Sequence, residues 1–308
     1  MKVKVSTIAF SKNTKLVNEL KQHFPEAIVN ENGVRLKDQE LYQYFSDAEG
    51  VIVGLEKVDN DFLNALPNIK VIAKYGVGLD NIDLNACKEK GVQVGWTPGV
   101  NKTSVAEMTI GFMLALFRNL YLTSNQLKFD SIWNKNGGAQ LSGKTIGIIG
   151  LGNIGKTVAQ LLKPFNCNIL ANDIVDVTGF ADANNVTLVD KETIFKECDL
   201  ISIHTPLTSE TKGLINKEVF SIMKDSSAII NTARGGIINE DALLQALINN
   251  KISGAALDVY TEEPPQNLKL LSLPNLICTP HIGGNAEEAV LAMGVSAINH
   301  LIKYKEHK

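Results

Sequence analysis

The stretch from Lys144 to Asp173 constrains the fold of this chain more tightly than any other. Its apolar run Ile146–Ile149 suits a strand buried on both faces. A Gly150-x-Gly152-x-x-Gly155 turn follows, Lys156 to Leu162 continues at helical spacing, and a second apolar run, Ile169–Ala171, leads to Asp173. That strand–turn–helix–strand frame raises the glycine spacing above a chance match. Gly150 allows the tight turn, Gly152 lets the main chain approach a pyrophosphate, and Gly155 lets the helix pack close to the strand. Free N–H groups and the dipole at the helix start then favour phosphate charge. Asp173 stands 18 residues past Gly155, where a carboxylate can accept hydrogen bonds from ribose hydroxyls. A bare strand-to-helix turn is the plainer alternative, and it leaves Asp173 unexplained. A carboxylate repels a 2′-phosphate and no Arg follows closely, so NAD is expected rather than NADP.

At 308 residues the chain has room for about two domains. A formal net charge of −3 gives no reason to expect nucleic acid or an anionic membrane as partner. The opening MKVKVSTIAF alternates and is charged, which reads as a first strand, Val3 to Ala9, rather than a signal peptide. No apolar run approaches the roughly 20 residues a bilayer span needs. Cys87, Cys167, Cys198 and Cys278 show no CxxC and no His-linked metal spacing, so reduced thiols in a cytoplasmic protein, and no metal, are expected.

Strand and helix signals alternate over the first 100 residues and again after Gly143, which argues for α/β architecture with parallel sheets. Between the two halves, Ser104–Asn125 reads as one long helix that is apolar around most of its circumference, fit for burial between domains or subunits. The final 24 residues, from Asn285, read as a helix folding back on the first domain. Several strands end in polar or glycine-bearing loops: Lys74–Asp80, His204–Leu207, Thr232–Gly236, Asp258–Tyr260 and Pro280–Gly284. Loops leaving the carboxyl edge of one open parallel sheet converge on its ligand crevice.

Three ionisable residues occupy such positions. Arg234 precedes Gly235-Gly236, and a guanidinium there can clamp a carboxylate bidentately and polarise a carbonyl. His281 alone among five histidines lies between Pro280 and a glycine pair, and imidazole can exchange a proton with a developing alkoxide near neutrality. Glu263, or its neighbour Glu262, could hold that ring in one tautomer and raise its pKa. Each has a plainer reading, as a surface ion pair, a satisfied structural histidine and a solvated loop charge. His204 is expected to line the cofactor crevice without reacting.

Taken in order, these segments resemble the D-isomer-specific 2-hydroxyacid dehydrogenases over nearly the whole chain. The resemblance rests on Gly76-Val77-Gly78-Leu79-Asp80-Asn81-Ile82-Asp83, Thr97-Pro98-Gly99, Gly150 to Gly155, His204-Thr205-Pro206-Leu207, Asn231 to Gly235, Leu257 to Pro264 and Pro280 to Gly284. It implies two doubly wound parallel-sheet domains, with a Rossmann-type NAD domain at 101–284 inserted into a flavodoxin-like substrate domain built from 1–100 and the helix 285–308. It also implies a homodimer through the 104–125 region, a crevice that closes to exclude water, and Arg234, Glu263 (the Glu directly before Pro) and His281 as catalytic residues. By the same resemblance, Gly76, Val77 and Gly78 hold the substrate carboxylate through their amides, Asn153 and Ile154 face the pyrophosphate, and Asp173 meets the ribose. Thr205 with Pro206 lines the adenine side. Thr232, Ala233, Arg234, Asp258, His281, Gly283 and Gly284 surround the nicotinamide, with Asp258 on its carboxamide.

The family resemblance is strongest to phosphoglycerate dehydrogenases of a short type without a regulatory domain, through Lys74 to Gly78 and Gly99 to Glu107. The expected reaction is therefore oxidation of D-3-phosphoglycerate, with Lys74 approaching the phosphate and Lys57 and Lys102 as further cations nearby. A glyoxylate or hydroxypyruvate reductase is the next alternative. A catalytically inactive NADH-sensing co-repressor is a third, of a different class.

Overall fold

The computed structural model describes residues 1–307. The chain divides into two compact units, Met1–Asn101 together with the segment from Gly284 onward, and Lys102–Gly283.

Unit 1 holds five strands: β1 (Val3–Val5), β2 (Ile28–Val29), β3 (Gly50–Val53), β4 (Val71–Lys74) and β5 (Gln93–Gly95). They pair in parallel in the order β2-β1-β3-β4-β5, a flavodoxin-like doubly wound sheet. Every residue of β1, β3 and β4 is buried, as expected of strands covered on both faces. The strand order reverses between β1 and β3, so the loops after them, at Thr7 and Gly54, flank the topological switch point. The first strand is shorter than the Val3–Ala9 run read from the sequence. Ser6 still donates to Ile52 O at 3.2 Å, but Thr7 O accepts from Ser11 N and starts the helix Ile8–Ser11.

The helix Glu287–Glu306 completes this unit. Its Ala297, Ile298 and Leu301 are fully buried in one cluster with Val3, Val5, Leu16, Leu20 and Val71. The cluster joins the two ends of the chain in one core.

Unit 2 holds seven strands: β6 (Thr145–Ile149), β7 (Asn168–Asn172), β8 (Val186–Leu188), β9 (Leu200–Ile203), β10 (Ala228–Asn231), β11 (Gly254–Leu257) and β12 (Leu276–Cys278). All pair in parallel in the order β12-β11-β10-β9-β6-β7-β8, the Rossmann arrangement with its switch point between β6 and β9. Alternation along β6 puts Ile146 and Ile148 in one apolar cluster and Ile149 in another, one for each face of the sheet.

The long apolar segment is two helices rather than one. Lys102–Phe117 and Leu120–Phe129 meet at a 66° bend, with Asn119 at φ 51°. Asn tolerates the left-handed region, and the returning loop takes the backbone partner a continuing helix would need, because Ala139 N donates to Phe117 O at 2.7 Å. Arg118 Nε adds a bond to Gly137 O at 2.8 Å. Only one stripe of the first helix is buried (Val105, Ala106, Thr109, Phe112, Met113), and the second buries nothing. No single helix among the described residues is long and apolar enough to cross a membrane.

Replacing Leu301 by Ala should cost about 2–5 kcal/mol, the usual range for emptying a packed core site. Chemical denaturation followed by circular dichroism measures it. A loss under about 1 kcal/mol would show that the C-terminal helix is not integral to the unit 1 core.

Candidate active site

The glycine turn leaves β6 at the switch point of the larger sheet. Gly150 adopts φ 94°, and a Cβ there would lie 2.7 Å from His204 O, so no other residue fits. A Cβ on Gly155 would meet Gly150 O at 2.1 Å, the close helix–strand approach its place in the motif predicts. Gly152 instead opens onto free space at the start of the helix Asn153–Leu162. Gly152 and Asn153 are exposed there and Ile154 is partly buried, which leaves the amides of that first turn open to an incoming phosphate.

Asp173 lies one residue past β7. Its Oδ2 accepts from Leu151 N at 2.6 Å and its Oδ1 from Val175 N at 3.1 Å. Both bonds hold the carboxylate beside the glycine turn and leave lone pairs for a ribose diol. At the end of β9, His204 Nε2 pairs with Ser202 Oγ at 2.8 Å. His204 Nδ1 and Thr205 Oγ1 are buried without a partner, while Pro206 is exposed. Burial drives the His204 pKa down to about 3, so the ring is neutral. Two unspent polar atoms, a bare glycine cradle and an acidic residue at the ribose position together fit NAD.

The remaining ionisable groups lie at the other strand ends of the same sheet. Asp258, one residue past β11 and 1% exposed, accepts from Thr279 Oγ1 at 2.6 Å, Ile282 N at 2.8 Å and Gly283 N at 2.8 Å. Both its oxygens thus hold the loop that carries His281, a task not foreseen beside the expected carboxamide contact. His281 itself sits at φ 54°, an uncommon backbone state for a non-glycine residue. Its Nδ1 meets Glu263 at 2.8 Å (Oε2) and 3.0 Å (Oε1). Tyr260 N donates to Glu263 Oε1 at 3.3 Å, while Glu262 is exposed.

The hydrogen bond from Glu263 raises the His281 pKa against the opposing effect of burial. For Glu263, burial pushes upward, but the bond to and charge of His281, with smaller help from Tyr260 N and Arg234, carry its pKa below the usual carboxylate value. A raised imidazole stabilises the fold below about 6.5 and a lowered carboxylate does so above about 4.5, so the pair contributes most between those values. With side chains 37% and 34% exposed, solvent screens much of that contribution, and the pair's main effect is orientation.

Arg234 Nη1 bonds Ala233 O at 2.7 Å, and Asn231 Nδ2 donates to Arg234 O at 2.8 Å, which fixes the chain as it leaves β10. Thr232 is buried against Thr109 Oγ1 at 3.1 Å, and Ala233 is also buried. Unit 2 therefore carries Arg234, Asp258, Glu263 and His281 at the strand ends that also carry the glycine turn. Thr279 and Ser202 were not anticipated, and their only signal is adjacency to a strand end two residues from a histidine.

Lys74 and Gly76–Gly78 belong to unit 1, as does Gly284, which packs on Asn101. Gly76 has φ 127°, and Trp96 Nε1 donates to Val77 O at 2.7 Å, which steadies the loop. Lys74, expected to approach a substrate phosphate, is the buried last residue of β4. It is 4% exposed, and its ammonium donates to Gly54 O and, at 2.6 Å, to Asn81 Oδ1.

The profile of the family described as D-isomer specific 2-hydroxyacid dehydrogenase, NAD binding domain, matches residues 110–283. A hydroxypyruvate reductase from Thermotoga maritima is 41% identical over 274 residues, which cover 87% of this chain and 88% of that protein. A D-3-phosphoglycerate dehydrogenase from Methanocaldococcus jannaschii is 41% identical over 272 residues, but this chain spans only 52% of its length. Among solved structures, a D-lactate dehydrogenase from Aquifex aeolicus complexed with NAD and lactic acid is 28% identical at TM-score 0.85, covering 100% of this chain and 96% of that one. With NAD as the cofactor, Asp173→Ala should erode the preference for NAD over NADP by about ten- to a hundredfold in kcat/KM, the value of a hydrogen bond to a charged group. Steady-state kinetics with both cofactors checks this, and an unchanged ratio would assign selectivity to another residue. By the matched profile and the near-full-length relative, the chain belongs to the D-isomer-specific 2-hydroxyacid dehydrogenases, a family of NAD-dependent oxidoreductases.

Proposed function

We propose that this chain interconverts a short D-2-hydroxy acid and its 2-oxo acid, and that Arg234, Glu263 and His281 carry the chemistry. The observation that carries the reading is the Glu263–His281 pair, 2.8 Å apart in the unit that bears the NAD-binding turn. NAD supplies the chemistry of hydride transfer at the substrate C2. Arg234 binds the substrate carboxylate and polarises the C2 oxygen. Glu263 occupies Nδ1 of His281, which leaves Nε2 as the atom that delivers a proton to that oxygen in reduction and removes it in oxidation. Asp258 holds the loop that sets the direction of the ring. An intact pair of this kind has no use in a catalytically inactive co-repressor.

A 3-phosphoglycerate substrate, the first expectation from sequence, needs a cation available beside the first loop glycine. The Lys74 ammonium is already bonded to Gly54 O and Asn81 Oδ1, and Lys57 is paired with Asp59 at 2.6 Å. Hydroxypyruvate with D-glycerate is therefore the substrate pair favoured here. The phosphorylated pair stands second, supported by phosphoglycerate dehydrogenase relatives that this chain matches over about half their length. The proposal includes a homodimer, because Leu120, Tyr121, Leu127 and Phe129 on the second helix, with Ile132 and Trp133 beyond it, leave a broad apolar surface exposed.

His281→Ala should lower kcat about 10²- to 10⁴-fold, the usual worth of a positioned acid–base group, and a small change would remove it from the proton-transfer role. Reduction needs the protonated ring. Its kcat/KM should therefore fall as pH rises through an apparent pKa above 6.5, and Glu263→Gln should move that limb downward. A limb that stays in place would show that Glu263 does not act on His281. Combined Phe129→Glu and Trp133→Glu should yield monomers in sedimentation velocity, and an unaltered dimer would move the interface elsewhere.

A further inference from the structure

The geometry points to Glu56 as a specificity residue that cancels the charge of Lys74 and so turns the substrate edge of unit 1 away from phosphorylated acids. The inference rests on the dehydrogenase reading above and names the side of the substrate class that this chain takes.

Open doubly wound sheets bind ligands at the switch point, which in this unit lies between β1 and β3, at Thr7 and Gly54. Glycine suits the residue just past β3, because a Cβ on Gly54 would fall 2.5 Å from Thr7 Cγ2 and force that side chain to move. Two opposite charges converge on this one buried residue. The Lys74 ammonium donates to Gly54 O, and Glu56 Oε2 accepts from Gly54 N at 2.5 Å. The Lys74 stem runs under the substrate loop, since a Cβ on Gly76 would meet its Cε at 3.4 Å. Asn81 closes the arrangement by donating to Gly54 O at 3.2 Å and to Glu56 O.

The Lys74 cation beneath the Gly76–Gly78 loop is thus accompanied by the Glu56 carboxylate, the two groups bonding adjacent peptide units through Gly54 O and Gly54 N. A phosphate dianion arriving there meets an ammonium already bonded to Gly54 O and Asn81 Oδ1 and a carboxylate fixed on the same residue, and such a like-charge encounter is costly. An uncharged hydroxymethyl group meets no such obstacle. The same edge offers two buried hydroxyls with no partner, Thr7 Oγ1 and Tyr75 OH, and Tyr75 follows β4 with its N–H on Val53 O at 2.8 Å. These suit a ligand hydroxyl. Glu56 is a discriminator by charge, with no part in proton transfer.

The test compares kcat/KM for hydroxypyruvate and 3-phosphohydroxypyruvate, with NADH as reductant, in the wild-type chain, Glu56→Gln and Glu56→Ala. Gln keeps an acceptor for Gly54 N, and an NADH fluorescence titration reports that each variant is folded. The wild-type chain should prefer hydroxypyruvate by about a hundredfold or more, and Glu56→Gln should narrow that ratio about tenfold, mainly through a lower KM for the phosphorylated acid. Wild-type turnover of the phosphorylated acid at an equal or higher rate would overturn the proposal. So would a ratio that neither variant moves while hydroxypyruvate is still reduced. No turnover of either acid would defeat the dehydrogenase reading itself, and this inference with it.

Discussion

Burial of parallel strands on both faces is the constraint on which everything else in this protein depends. A strand covered by helices on each side can expose function only at its ends, and parallel pairing puts all carboxyl ends on one edge. In the seven-stranded sheet that edge receives the glycine turn from β6, Asp173 from β7, His204 from β9, Arg234 from β10, Asp258 from β11 and His281 from β12. Six neighbouring strand ends supply a glycine turn, two carboxylates, two imidazoles and a guanidinium. In the five-stranded sheet the corresponding edge receives Thr7, Gly54 and the loop after Lys74.

Within that frame, one buried carboxylate sets the geometry of the loop that carries His281. Asp258 accepts three hydrogen bonds from a segment five residues long, which stabilises the uncommon backbone state of His281. Glu263 then needs only to meet Nδ1 of a ring whose backbone is already held. The two acidic residues divide the work: the buried one fixes the loop, and the partly exposed one raises the pKa of the ring.

Much of this was legible in the sequence where a local rule applies. The glycine spacing, Asp173 and His281 stand at strand ends that periodicity alone locates, and the parallel α/β class follows from the alternation of elements. Readings failed where a distant partner decided the outcome. The helix from Ser104 breaks at Asn119 because Ala139, 22 residues beyond Phe117, takes that carbonyl, and composition carries no trace of it. The bonds that occupy the Lys74 ammonium are invisible in the sequence because its acceptors, Gly54 O and the Asn81 side chain, become neighbours only when β3 and β4 pair. The first strand was read too long because alternation continues through Ser6 and Thr7 into a segment whose hydrogen bonds are already helical.

The burial of His204 has a consequence for how the two ends of the NAD site respond to their surroundings. Its ring is electrically silent across the whole range in which cells live, because protonation waits until about pH 3. The His281 pKa is instead raised above the ordinary imidazole value by its bond to Glu263. Two imidazoles on one sheet edge are thus set apart by their surroundings: burial keeps one neutral, while a carboxylate partner favours the charged form of the other.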